Sequence, residues 1–120
     1  MSVEPKNTPS FQKQNSESIT SESVKFISLV NPKVGDRSGM IINEAFNALI
    51  QNINIYTGET LSQELNRITE LILEKRGFSV TLHNIRTTIN DYKNLKILLT
   101  IEQKNNIFNI IEEWKKRLFA

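Results

Sequence analysis

Cysteine is absent from this 120-residue chain, histidine occurs once, at His83, and there are only four glycines and three prolines. Each scarcity excludes something. Without cysteine there is no disulfide framework and no thiolate metal site. A single imidazole, with no second histidine at helical spacing, does not supply a zinc ligand set, so no metal and no cofactor are expected. Gly35-Asp36-Arg37-Ser38-Gly39 precedes a helical stretch but lacks the Lys-Ser/Thr pair of a phosphate loop; ordinary helix capping accounts for it. No apolar run approaches the roughly 20 residues of a membrane span. The N-terminus shows neither the basic region nor the apolar stretch of a signal peptide. No nucleophile, base and orienting group fall into a usable constellation. These absences point to a non-catalytic protein of the cytoplasm or nucleus, with no small-molecule substrate evident.

Charge adds little. The net charge is +2, and residues 1–36 hold four lysines against four acids, so the excess belongs to the remainder, with eleven Lys/Arg against nine Asp/Glu. Dedicated nucleic-acid binders carry a more concentrated basic face.

What the chain does have is helical patterning after residue 36. Before it, residues 1–22 are almost wholly polar or proline apart from Val3, Phe11 and Ile19. They cannot bury enough apolar surface to offset the entropy of ordering, and a disordered polar tail is expected. Residues 23–36 form an extended linker or docking segment. Its Val24–Val30 patch (VKFISLV) is β-branched enough for a strand but has no strand to pair with. It is expected either to pack across the helices or to reach a partner, with Phe26 as a contact residue.

Residues 37–120 read as the helical domain. Asp36 or Ser38 caps a first helix whose stripe is Ile41, Ile42, Ala45, Phe46, Leu49, Ile50 and Ile53. Tyr56-Thr57-Gly58 ends it. Thr60 with Gln63 offers a capping box for a second helix, striped by Leu61, Leu65, Ile68, Leu71 and Ile72. That helix closes on Lys75, Arg76 and Gly77, cations and a left-handed glycine being suited to a helix C-terminus. A third helix from Ser79 or Thr81 carries Leu82, Ile85, Ile89, Tyr92, Leu95 and Leu99, widened by Ile97 and Leu98. Thr100 with Gln103 repeats the capping box, and a last helix carries Ile101, Phe108, Ile111, Trp114 and Leu118. Because no Gly or Pro breaks the chain at Thr100, one long helix over about 81–119 is the competing reading. Short links favour antiparallel neighbours, so the expected fold is all-α: a small antiparallel four-helix bundle preceded by a disordered N-terminal tail.

Two local resemblances involve the third helix. His83-Asn84-Ile85-Arg86-Thr87-Thr88-Ile89-Asn90 resembles the phosphoacceptor box of sensor histidine kinases over eight residues, which would imply a histidine phosphotransfer or dimerisation domain. Asn84 replaces that family's acid and Thr88 its proline. Leu73–Ser79 running into Val80–Asn90 is similar to the turn of helix-turn-helix modules. That similarity implies DNA as an alternative partner, with Asn84, Arg86, Thr87, Asn90 and Lys93 towards a major groove and Lys75 and Arg76 on phosphate. The small residue that usually permits close packing before such a turn is missing.

The main expectation is a protein–protein interaction module, a small subunit or adaptor of a larger complex, binding other subunits or itself. The apolar stripes are wider than a domain of this size needs for its own interior, and such an excess implies a partner. Ile107, Ile110, Trp114 and Phe119 on or beyond the last helix, with Phe26, are the expected protein-binding residues, since aromatics are enriched in interface anchors.

Overall fold

The computed structural model describes residues 26–120. The tail expected over 1–22, and the start of the linker, lie outside the described residues. Among the described residues there are four α-helices and no strand: α1 (Arg37–Asn52), α2 (Gly58–Arg76), α3 (Val80–Tyr92) and α4 (Ile101–Leu118), with a 3-10 turn at Ile53–Ile55 after α1.

Local chemistry fixes most of the ends. Asp36 accepts a hydrogen bond from the Gly39 amide at 3.0 Å and so caps α1. The same carboxylate pairs with Arg76 from the last turn of α2. Gly39 is buried, and a Cβ there would collide with the Asp36 carboxylate and the Arg76 guanidinium. At the end of α2, Gly77 takes φ +79 and its amide donates to the Leu73 carbonyl at 3.0 Å. Ser79 caps α3. Thr100 and Gln103 form the full reciprocal box at the start of α4, with bonds of 2.9 and 3.1 Å.

Two expected boundaries move. The second helix is capped by Thr57 rather than Thr60: the Thr57 hydroxyl accepts from the Thr60 amide at 3.1 Å, and α2 begins at Gly58. The first amides of α2 would otherwise be orphaned. They find carbonyls in the α3–α4 connection, Gly58 N donating to Ile97 O at 3.4 Å and Glu59 N to Leu95 O at 2.8 Å. That same pairing breaks the chain between α3 and α4, so no single helix spans 81–119. Leu99 N donates to Tyr56 O at 3.2 Å, and Thr57 and Leu98 form an isolated antiparallel bridge. Leu95 and Leu99 therefore pack from a non-helical connection. Gly58 permits the approach, since a Cβ there would lie 2.5 Å from Leu95 Cβ and 2.6 Å from Tyr92 O.

The core draws on every helix. Ile42, Phe46, Leu61, Leu65, Ile85 and Ile111 are among the fully buried side chains, each adding roughly 1.5–3 kcal/mol by leaving water. Polar cross-links follow a consistent order. Ser62 Oγ donates to Ile89 O at 3.1 Å between α2 and α3. Lys104 meets Asn54 at 2.9 Å, and Lys115 meets Asn47 at 2.7 Å, joining α4 to the α1 side.

Candidate functional site

The residues expected to bind a partner do not lie free on the surface. Ile107 is fully buried, Trp114 is 3% exposed and Phe119 6%. Ile110 is half-buried against the core. Trp114 packs on Phe46 of α1 with ring centroids 6.2 Å apart. The cause is geometric: the stripe of α4 faces α1, and the indole fills the space between them. Phe26 is half-buried as well, stacked on Phe108 at 4.7 Å with 13° between the planes. Within this chain Ile107, Trp114 and Phe119 pack internally, while Phe26 and Ile110 stay half-buried.

The apolar surplus lies elsewhere. Ile55 (73% exposed), Ile97 (64%), Leu98 (58%) and Ile101 (44%) cluster in sequence around the pairing of 56–58 with 97–99. Their backbone is held by hydrogen bonds from both sides, so the cluster is presented on a fixed support. It was missed because Ile97 and Leu98 extend the helical stripe of α3 in the sequence, where they read as core. Nothing local announces that the helix stops at Tyr92. A second exposed set includes Met40 and Ile41, which border a cleft at the start of α1 that Gly35, Arg37 and Glu44 also line, and Val34, which lines a second cleft with Pro32 and Asn43.

A buried polar network lies on the inward side of α4, beside its core stripe. Lys115 is fully buried. Its ammonium donates to Asn47 Oδ1 at 2.7 Å and to Ser28 Oγ at 2.8 Å. Ser28 in turn donates to Glu112 Oε2 at 2.5 Å, and the Leu29 amide donates to Glu112 Oε1 at 3.2 Å. Removal from water pushes the Lys115 pKa below its ordinary value, and the nearby Glu112 carboxylate partly opposes that shift. The sequence contained a signal for this: Lys104 and Lys115 share the helical spacing of Phe108, Ile111 and Leu118, which places them on the buried side of α4.

A groove between α1 and α2 is lined by Ala45, Leu49, Tyr56, Glu64, Arg67 and Leu71, among others. Burial, reinforced by the Glu64 charge, raises the Tyr56 pKa, and Arg67 works against this. Glu64 and Arg67 pair with each other at 2.6 Å. A neutral phenol beside a matched ion pair offers no activated nucleophile. Among the described residues no cluster of three or more His, Cys, Asp or Glu could hold a metal. No described helix is long and apolar enough to cross a membrane.

The residues of the DNA reading are mostly exposed, including Lys75, Arg76, Arg86, Thr87, Asn90 and Lys93, with Asn84 half-buried. Arg76 is committed to Asp36. The contacts between the two helices also bear on that reading. A helix-turn-helix crossing of about 90–120° carries the far ends apart. Here Gly58 at the start of α2 packs against Tyr92 and Leu95 at the end of α3, and Ser62 bonds to Ile89. His83 is exposed, and its neighbour on the next turn, Thr87, donates its hydroxyl to the His83 carbonyl at 3.1 Å.

No protein-family model, curated protein or solved structure matches this chain.

Proposed function

We propose that this protein is a non-catalytic helical interaction module, a small subunit or adaptor of a larger assembly in the cytoplasm or nucleus, built as an antiparallel four-helix bundle over residues 37–120. The order of the cross-links supports that arrangement: partners climb along one helix while falling along the next, as with Lys104–Asn54 and Lys115–Asn47. The observation carrying the functional reading is the exposure of Ile55, Ile97, Leu98 and Ile101 in and beside the paired segments 56–58 and 97–99. Leaving four large aliphatic side chains in water on an ordered support is unfavourable for the isolated chain, and a partner that covers them recovers the lost hydrophobic free energy.

The reading is tested by tagged purification at native expression, followed by mass spectrometry and light scattering. A stable protein partner whose recovery falls with Leu98→Asp is the expected result. A lone monomer with no such partner overturns it.

A further inference from the structure

The five residues Phe26–Val30 behave as a strap on α4. Alternate positions do different work, as an extended chain requires. Phe26 stacks on Phe108, Ser28 joins Lys115 to Glu112, and Val30 packs against the core. Ile27 and Leu29 point the other way and are 82% and 85% exposed. The strap has no helix of its own and is tied to α1 by residues 31–36, where Asp36 N bonds to Lys33 O at 3.0 Å and Gly35 takes φ +89.

The seat beneath the strap cannot stand empty at low cost. Withdrawing Ser28 takes an acceptor from the Lys115 ammonium, which is fully buried with the strap in place, and strips Glu112 of two donors. A buried charge that loses a partner is strongly unfavourable, so an opened strap demands a replacement of the same chemistry: an aromatic ring, then a hydroxyl two residues later, with a free amide following it. One segment is known to satisfy that demand, and every copy of this chain carries it.

We infer that the strap is exchangeable, and that at high concentration two copies seat each other's Phe26–Val30 on α4, forming a two-fold strap-swapped dimer. Swapping an identical element creates no new seat contacts and needs only the hinge to open. The turn at 33–36 is that hinge, held by a single backbone bond within the turn. The short link gives the home strap an effective concentration on the order of millimolar, so exchange grows as the chain concentration approaches that range. This goes beyond the interaction-module reading and uses a different surface, so either can fail without the other.

Because the chain has no cysteine, the exchange can be read directly. Two differently tagged full-length chains, one Leu29→Cys and one Glu113→Cys, are co-expressed and treated with a short bis-maleimide. Both positions are exposed, and they flank the Leu29–Glu112 contact. The control pairs Leu29→Cys with Glu102→Cys, an exposed position in the first turn of α4, about 16 Å away along the helix axis. Exchange predicts a covalent heterodimer at least about fivefold above the control as concentration nears the millimolar range, with a light-scattering mass of about twice 13.8 kDa for the unmodified chain. Equal yields in the two pairings, or a monomer mass throughout that range, overturn it. A dimer that forms without the strap cross-link overturns it as well.

Discussion

Lys115 donates to Asn47 across 2.7 Å, tying the last turns of α4 to the middle of α1 through a fully buried ammonium. The contact matters because burial already disfavours the charge: the Lys115 pKa is lowered by desolvation despite the Glu112 carboxylate nearby. Asn47 and Ser28 supply the oxygens that make the charged form tolerable there.

Asn47→Ala should therefore cost about 1–3 kcal/mol, the range for stranding a buried hydrogen-bonding group. Urea denaturation followed by far-UV CD reads this as a lower midpoint. An unchanged midpoint would mean the ammonium finds water instead. The linkage sign is also fixed. A base whose folded pKa lies below its unfolded value carries a penalty while charged, and that penalty shrinks as pH rises from the folded pKa towards 10.5.

Trp114→Ala should lower stability by about 3–5 kcal/mol, as expected for emptying a core aromatic site. The indole is 3% exposed and rests on Phe46. A variant with native stability and impaired partner binding would instead return Trp114 to the surface.

Gly58→Ala tests the junction that separates α3 from α4. The added methyl has Leu95 Cβ at 2.5 Å and Tyr92 O at 2.6 Å, one of them backbone. Helix propensity alone favours alanine by about 0.8–1.0 kcal/mol, yet overpacking of this kind costs typically about 1–3 kcal/mol. Net destabilisation in a thermal melt is expected, and a rise in Tm would contradict the close approach.

Acid should loosen the start of α1. The Gly39 amide, then Arg76 and Lys33, hold the Asp36 carboxyl below its ordinary pKa of 3.8 against a smaller opposing effect of burial. A depressed carboxyl stabilises the fold above the unfolded pKa, and that contribution disappears as pH falls from 3.8 through the folded value. Asp36→Asn should flatten this part of the stability–pH curve. A wild-type slope that persists in the variant would assign the effect to another carboxyl.

Much of the helical layout was legible because its signals are local. Asp36, Gly77 and Ser79 mark ends through groups within three or four residues, and the Thr100–Gln103 box is self-contained. The placement of Ile97 and Leu98 was not legible, since it depends on amides of Gly58 and Glu59 some 36 to 39 positions earlier in the chain. Their apolar character suits a helix stripe equally well. The burial of Trp114 and Ile107 was not legible for a related reason: both are apolar whether they face a partner or α1, and composition does not separate the two. Lys115 shows the opposite case, a residue whose helical spacing announced burial while its charge suggested solvent.

On the proposed function, the exposed Ile55, Ile97, Leu98 and Ile101 bind a protein while the core residues of α4 hold the fold together. The most direct measurement compares the wild-type chain with the double variant Ile97→Asp/Leu98→Asp for both urea midpoint and partner recovery. Exposed positions should change stability by no more than about 0.5 kcal/mol, while recovery should fall at least about tenfold, equivalent to about 1.4 kcal/mol of binding free energy. Undiminished recovery from a variant that remains folded would contradict the account.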